Sequence, residues 1–201
     1  MASLRRQPLL VVLRPQEPQL AAPALERLVG LGVRHVEIAW QPGVDDWSSQ
    51  CRRLAQQFPG LALGAASICC EPSLEAAIAA GFGYAVSPVL ERRLQRRAEA
   101  AGLTLVPGVM TPSEVQRARR WGCHIVKLFP AVSVGPQHWR RLRQPLGGMP
   151  LPLVIAAGGL TPADVPLWLE AGVDAVALGS GLAVGDDAEL RRLLAWLQGR
   201  S

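Results

Sequence analysis

Short runs of apolar residues alternate with longer amphipathic runs along the whole chain, and the pair recurs about every 25 residues. The short runs are rich in Val, Ile and Leu, which is typical of buried strands in a parallel sheet. Eight strands are predicted, over Leu9–Leu13, His35–Ala39, 61–66, 84–87, 103–107, 125–129, 153–156 and Ala175–Leu178. The pattern therefore predicts repeated strand–helix units.

The amphipathic runs carry the signals of helix starts and ends. Five of them predict helices over 19–31, 72–80, 112–121, 162–171 and 187–197. The pairs Thr111-Pro112 and Thr161-Pro162 each place a capping hydroxyl before a proline that suits the first helical turn. Glycines suited to a helix end follow at Gly32, Gly81, Gly102, Gly122 and Gly172. Each strand is thus expected to pass through a helix to the next strand.

Eight strand–helix units without a linker or a change of composition predict an α/β fold. The specific prediction is one compact (β/α)8 TIM barrel domain over residues 1–201, with an open doubly wound sheet as the alternative. The first strand ends in Leu13-Arg14-Pro15, and no G-x-G-x-x-G fingerprint follows it. We therefore expect no nicotinamide cofactor.

The composition indicates in which cellular compartment the protein is expected. Hydrophobic residues make up 49% of the chain, yet charges or prolines interrupt every apolar run before the roughly 20 residues that a membrane helix needs. The four cysteines, Cys51, Cys69, Cys70 and Cys123, lack the spacing of a disulfide framework. The expectation is a protein of the reducing cytoplasm that has no membrane partner.

The formal charge of +5 does not by itself indicate nucleic-acid binding. All of the 21 basic residues except Lys127 are arginines, and many lie in pairs within helical patterns that also contain Glu or Gln. Such spacing is typical of solvated helix faces, and no recognition motif accompanies it. We expect no nucleic-acid partner, although a basic balance favours an anionic substrate.

Lys127 is a polar residue inside an apolar strand. In His-Ile-Val-Lys-Leu-Phe-Pro, alternation turns Val126 and Leu128 outward and Lys127 into the barrel. Burial lowers the pKa of an ammonium group and exposes a nucleophilic amine, which arginine cannot supply. The sequence predicts imine chemistry at Lys127, and the alternative is a lysine that only pairs with a core carboxylate.

Glu37 is the second polar residue in such a strand. It shares a face with His35 and Ala39, whereas Val36 and Ile38 take the other face. We expect Glu37 inside the barrel. A carboxylate near an amine can relay protons or simply hold the amine by charge, and the sequence leaves both roles open.

Glycine-rich turns follow the last two predicted strands. Gly158-Gly159 and Gly179-Ser180 would let backbone N–H groups approach an anion, as at the usual phosphate site of such barrels. Arg14, at the end of the first strand, is a candidate for binding a substrate carboxylate.

Metal catalysis is disfavoured because the histidines are far apart. His35, His124 and His138 have no carboxylate partner at ligand spacing. We expect neither a metal nor another cofactor.

Seven short strings occur in order between about residues 8 and 182: Val-Glu-Ile (36–38), Gly-Ala-Ala-Ser (64–67), Val-Ser-Pro (86–88), Pro-Gly-Val-Met-Thr-Pro-Ser-Glu (107–114), Val-Lys-Leu-Phe-Pro (126–130), Ala-Gly-Gly (157–159) and Gly-Ser (179–180). Together they resemble the 2-keto-3-deoxy-6-phosphogluconate (KDPG) and 4-hydroxy-2-oxoglutarate (KHG) aldolase family. The Lys-Leu-Phe-Pro and Pro-Gly-Val-Met-Thr-Pro strings are the specific parts of this resemblance.

The resemblance implies a metal-free TIM barrel that forms trimers and reversibly cleaves a 4-hydroxy-2-keto acid into pyruvate and an aldehyde. Lys127 matches the family's Schiff-base lysine, and Glu37 matches its proton-transfer glutamate. The protonated imine accepts the electrons of the broken C3–C4 bond, while Glu37 takes the C4 hydroxyl proton through a water. The matching binding residues are Ser67, Pro88 and Phe129 for pyruvate, and Gly158, Gly159, Gly179 and Ser180 for a phosphate.

Several positions depart from the family pattern. The family's pocket threonine is Ser67 here, which keeps the hydroxyl. Many members carry an arginine four residues after the glutamate, where this chain has Gln41, and we expect Arg14 to replace that arginine in binding the pyruvate carboxylate. A proline-threonine pair before the double glycine is Ala156-Ala157 here. An acidic residue that often follows Phe-Pro-Ala is Val132. These changes leave open the aldehyde, the stereochemistry and the strength of the activity.

Two further hypotheses compete with the aldolase. One is a phosphate-binding barrel of non-imine chemistry, and the other is a degenerate barrel that binds a sugar phosphate without turnover. Both rank behind the aldolase because Lys127 and Glu37, two groups that are costly to bury, are present.

Overall fold

The computed structural model describes residues 2–146, 150–179 and 187–200. Within these residues the chain forms one sheet of parallel strands in the order β5-β4-β3-β2-β1-β9-β8-β7-β6. The strands are β1 (Leu9–Leu13), β2 (His35–Ala39), β3 (Ala62–Ala66), β4 (Tyr84–Val86), β5 (Thr104–Val106), β6 (Gly108–Val109), β7 (Ile125–Leu128), β8 (Leu153–Ala157) and β9 (Ala175–Leu178).

Pro107 closes the barrel by joining β5 to β6, the two strands at opposite ends of this order. On one side, Val106 O accepts a hydrogen bond from Ser87 N at 2.9 Å, and on the other, Pro107 O accepts one from Lys127 N at 2.8 Å. The predicted single strand over 103–107 was wrong at Pro107, because proline has no N–H group to donate to a neighbouring strand. The two short strands share the fifth position, and the predicted (β/α)8 barrel is confirmed.

Helices connect the strands on the outside of the barrel. They are α1 (Ala2–Arg6), α2 (Ala22–Leu31), α3 (Trp47–Gln57), α4 (Glu71–Ala80), α5 (Arg92–Ala100), α6 (Pro112–Arg120), α7 (Pro136–Arg143), α8 (Val165–Glu170) and α9 (Asp187–Gln198). Two predicted helices begin instead with a 3₁₀ turn, at Pro18–Ala21 before α2 and Pro162–Asp164 before α8. The predicted cap of α6 is confirmed, since Thr111 Oγ1 accepts from Glu114 N and Glu114 Oε2 accepts from Thr111 N.

Two apolar layers, one on each side of the sheet, show which way the polar strand residues point. The outer layer packs the strands against the helices and includes Val36, Ile38, Val126 and Leu128. The layer inside the barrel includes Leu10, Val12, Ala39, Ala66, Val86, Val106, Ile155, Ala157, Ala175 and Ala177. Residues that alternate with the outer layer in β2 and β7 therefore point into the barrel, as predicted.

Candidate active site

A cavity of about 640 Å³ lies at the carboxyl ends of the strands. Arg14 enters it directly after β1, and Gly158 and Gly179 enter it directly after β8 and β9. Glu37 of β2 and Lys127 of β7 also line this cavity. Because the carboxyl ends of parallel strands meet at one face of a barrel, residues distant in sequence converge here.

Lys127 is held inside the barrel with only 8% of its surface exposed. Its Nζ lies over the ring of Phe129, 4.1 Å from the ring centroid, where the face of the ring attracts the cation. Burial lowers the pKa of Lys127, and the nearby Arg14 cation acts in the same direction, whereas the Glu37 carboxylate opposes both. Lys127 therefore has the environment of a nucleophilic amine.

Glu37 is more deeply buried, with 2% of its surface exposed. Burial raises its pKa to about 7, against the opposing charges of Lys127 and Arg14. A carboxyl group with a pKa near neutrality can both accept and return a proton at physiological pH. Glu37 and Lys127 do not form a direct ion pair in the described part of the chain, so a substrate or a water can lie between them.

Arg14 is tied to the end of β3. Its Nη1 donates a hydrogen bond to Ser67 Oγ at 2.9 Å, which links positions 53 residues apart. Ser67 has a positive φ of 65°, a conformation uncommon for a residue with a side chain. The hydroxyl of Ser67 thus orients a guanidinium group at the edge of the cavity.

The glycine turn after β8 fits closely against the turn after β7. A Cβ at Gly158 would lie 2.8 Å from the Phe129 ring, and a Cβ at Gly159 would lie 2.5 Å from Val132 Cγ1. Both glycines also have a positive φ, so larger residues are disfavoured there on two counts. Gly179 lines the same region, and Ser180 lies outside the described residues.

Two of the predicted binding residues have other contacts. Gln41 Nε2 donates to Pro15 O at 2.5 Å, so its side chain braces the turn that follows Arg14. The Pro88 carbonyl packs against Gly108, where a Cβ would clash with it. Gln41, Pro88 and Ser67 are not among the described residues that line the cavity, and Ser67 contacts it through Arg14.

Several cavity residues carried no recognised signal in the sequence. Val12, Ile155 and Ala177 are ordinary alternating strand residues. Thr161 was recognised only as a helix cap, and its hydroxyl donates to Asp164 Oδ2 at 2.7 Å. Glu189 reaches the cavity from the first turn of α9, where no strand end marks it.

The described residues lack two further features, a metal-binding cluster and a membrane-spanning helix. They contain no group of three or more His, Cys, Asp or Glu side chains placed to hold a metal ion. No helix among them has the length and apolar character needed to cross a membrane.

A buried amine with a lowered pKa and a buried carboxyl group with a pKa of about 7, together inside a closed barrel, fit a site of the class I aldolase type. The family model described as KDPG and KHG aldolase matches residues 1–192. The chain belongs to the KDPG and KHG aldolase family and is a class I aldolase, a lyase.

Named relatives and solved structures are similar to most of the chain. The chain is 29% identical over 177 residues to the 2-dehydro-3-deoxy-6-phosphogalactonate aldolase of Escherichia coli (strain K12), covering 87% of this chain and 84% of the relative. It is 28% identical over 180 residues to the KHG/KDPG aldolase of the same strain, covering 89% and 78%. A crystal structure of 2-keto-3-deoxy-6-phospho-gluconate aldolase from Zymomonas mobilis ATCC 29191 matches with a TM-score of 0.79 and 25% identity, covering 98% of this chain and 94% of that chain.

Proposed function

We propose that the enzyme reversibly cleaves a 4-hydroxy-2-keto acid into pyruvate and an aldehyde through an imine on Lys127. The observation that carries the proposal is the burial of Lys127, with a lowered pKa, in the cavity that also contains Glu37. A lowered pKa raises the fraction of the amine that is unprotonated, and the unprotonated amine can attack a ketone.

The covalent steps follow from this arrangement. Lys127 Nζ attacks C2 of the keto acid, and loss of water from the carbinolamine gives a protonated imine. Breaking the C3–C4 bond moves its electron pair onto C3 and into the imine, while the C4 hydroxyl loses its proton and leaves as the aldehyde. The resulting enamine takes a proton at C3, and water then releases pyruvate and regenerates the amine.

Glu37 is the group that moves these protons. Its pKa of about 7 suits acceptance of the C4 hydroxyl proton and its later return. Because Glu37 and Lys127 form no direct ion pair in the described chain, a water can carry the proton between Glu37 and the substrate.

Arg14 and Ser67 are proposed to bind the pyruvate carboxylate. The Arg14 guanidinium lines the cavity and is oriented by Ser67 Oγ. A planar guanidinium can form two parallel hydrogen bonds to a carboxylate, which would fix the C2 carbonyl near Lys127. Gln41 assists indirectly by holding Pro15 O, next to Arg14.

The other end of the cavity is proposed to receive the aldehyde half. Gly158, Gly159 and Gly179 present a backbone without side chains there, as a phosphate group requires for close approach. Phosphorylated sugar acids such as KDPG are therefore the first candidate substrates, and KHG, with a carboxylate in that place, is the second. This assignment places the enzyme in carbohydrate metabolism.

We further propose a homotrimer in the cytoplasm. Large apolar side chains are exposed at Leu20, Val132 and Leu167, and a second chain could cover them. A designed protein cage built by fusing symmetric oligomeric domains matches this chain with a TM-score of 0.79 and 26% identity, covering 96% of this chain and 71% of that one. The cysteines of the described chain are free thiols, which suits a reducing compartment.

Pyruvate release from three pure substrates tests the assignment. KDPG, its galactonate epimer and KHG are compared by kcat/KM in a coupled assay, with the Lys127→Arg enzyme as the control. We expect the phosphorylated acids to be preferred and the Lys127→Arg enzyme to be inactive. Equal activity of the Lys127→Arg enzyme would overturn the imine mechanism. A preference for KHG would overturn the proposal that the substrate is phosphorylated.

A further inference from the structure

We propose that the amino-terminal end of the barrel carries a second binding site, for a small phosphate-bearing anion, formed by His35, Arg34 and Arg6. This site lies at the opposite end of the strands from the catalytic cavity. Its existence does not depend on the aldolase reaction.

A cavity of about 510 Å³ is present at this end. Arg6 at the end of α1 and Arg34 just before β2 line it, together with the amide side chains of Gln7 and Gln198. No Asp or Glu is among the described residues that line it. The charge and the hydrogen-bond donors of the lining therefore favour an anion.

His35 is the buried polar group of this cavity. Only 4% of its surface is exposed, and among the described residues the ring reaches only the Leu9 backbone as a hydrogen-bond partner, which leaves at least one ring nitrogen without one. A buried polar group without a partner is costly and uncommon in folded proteins. An anionic oxygen in the cavity would give the imidazole an acceptor.

The backbone around His35 is well fixed. Gln7 Nε2 donates to Gly32 O at 2.9 Å, and Gln7 Oε1 accepts from Arg34 N at 2.7 Å. Gln7 thus joins the segment before β1 to the turn before β2. The exposed side chain of Arg34 lies at the rim of the cavity. Donors from the Arg34 guanidinium and the imidazole can contact the oxygens of one phosphate, and Arg6 adds positive charge to the cavity.

Charge links ligand binding to the protonation of His35. Burial lowers the pKa of His35, and the positive charges of the N-terminus and Arg34 act in the same direction, whereas a hydrogen bond to the Leu9 backbone opposes them. The charged side chains that line the cavity in the described chain, Arg6 and Arg34, are both cations. A bound phosphate would counter them and raise the pKa of His35, so binding should strengthen as the pH falls towards this pKa.

Tyr84 separates this site from the catalytic cavity. Its hydroxyl lies 3.3 Å from both Val36 O and Ala62 O, the carbonyls beside His35 in β2 and opposite it in β3. Its ring fills the barrel against Gly64, which pairs with Glu37. A ligand at His35 is therefore distinct from a substrate at Lys127.

The three histidine imidazoles allow a direct test by NMR. The full-length enzyme is labelled with ¹³C at the imidazole carbons and titrated with inorganic phosphate, and with chloride at matched ionic strength. Glycerol 3-phosphate is titrated in parallel to distinguish an ester from free phosphate. A His35→Gln variant assigns the His35 signal, and Arg34→Gln tests the site without altering a buried residue.

We expect phosphate to move the His35 signal saturably and to raise its pKa, and Arg34→Gln to weaken the apparent affinity about tenfold, the effect of losing one charge-assisted contact. Arg141→Gln, an exposed arginine of α7, should leave the affinity unchanged. Tighter binding of glycerol 3-phosphate than of phosphate would identify an ester as the ligand. A His35 signal that responds equally to chloride, does not respond, or responds unchanged in Arg34→Gln would overturn the proposal.

Discussion

Glu37 is predicted to set the pH range in which the enzyme works. Its pKa is raised to about 7 by burial, and proton acceptance needs the ionised form. The rate should therefore fall as the pH drops through about 7. We predict an acidic limb near pH 7 in kcat/KM, measured as pyruvate release across the pH range.

Glu37→Gln is predicted to lower kcat by about 10²–10⁴-fold and to remove this limb. Glu189→Gln is the matched control, because Glu189 lines the same cavity but comes from α9 rather than from the barrel interior. A limb that persists in Glu37→Gln would assign it to another group.

Arg14 is predicted to act on substrate binding. Arg14→Ala should raise KM for the keto acid about 10–100-fold, because a hydrogen-bonded charge is lost, while kcat changes less. Ser67→Ala should give a smaller rise, since Ser67 orients Arg14 through a single hydrogen bond of 2.9 Å. Steady-state kinetics measure both, and an unchanged KM in Arg14→Ala would exclude the contact.

The burial of the two reactive residues could be predicted from the sequence, but some of their surroundings could not. Alternation alone places Lys127 and Glu37 inside the barrel, because a strand residue has only two faces to choose from. The contact between Arg14 and Ser67 joins the ends of two strands across 53 residues, and Glu189 comes from a helix. The local sequence pattern predicts neither the contact between Arg14 and Ser67 nor the position of Glu189 in the cavity.

At the scale of the elements, the close packing of β3 on β4 gives a stability prediction. A Cβ at Gly64 would lie 2.4 Å from the Tyr84 ring. Gly64→Ala should therefore cost about 1–3 kcal/mol of unfolding free energy through overpacking, measured by denaturant unfolding. Adding Tyr84→Leu should recover part of that loss.

Gly30→Ala provides the matched control, because a Cβ at this position in α2 meets nothing within 4 Å. It should leave stability unchanged or raise it by about 0.5–1 kcal/mol, as alanine favours a helix. Equal stabilities of the Gly30→Ala and Gly64→Ala proteins would contradict the packing described for Tyr84.

Most elements follow the local pattern, and the exceptions have physical causes. The fifth strand divides at Pro107, which pairs through its carbonyl alone. The side chain of Arg97 in α5 is partly exposed, as its pattern predicts, but it also forms two hydrogen bonds to Glu75 of α4, at 2.6 and 2.8 Å. Tertiary neighbours determine such contacts, and helical periodicity does not report them.

At the scale of the whole molecule, barrel closure brings Arg14, Glu37, Lys127 and the glycine turns to one cavity. The strand count and the order of the motifs predicted this convergence, because a closed parallel barrel has a single carboxyl-terminal face. The dimensions of the cavity, and the side chains that fill the opposite end of the barrel, could not be predicted from the sequence and are known only from the structure.

A trimer is the predicted assembly of this molecule. Light scattering coupled to gel filtration should give the mass of three chains of 21.5 kDa each. Three variants test which face is covered in the trimer, because each places a charge at an exposed apolar position: Val132→Glu, Leu167→Glu and Leu20→Glu. A monomer at the concentrations used in the assay would contradict the prediction.

Reductive trapping tests the central claim most directly, because Lys127 is the only lysine in the chain. The enzyme and its Lys127→Arg variant are incubated with pyruvate and borohydride, and intact mass is followed by peptide mapping. The account predicts one reduced pyruvate adduct per chain, on Lys127, and none on the variant. An unmodified Lys127 in an enzyme that still releases pyruvate would contradict it.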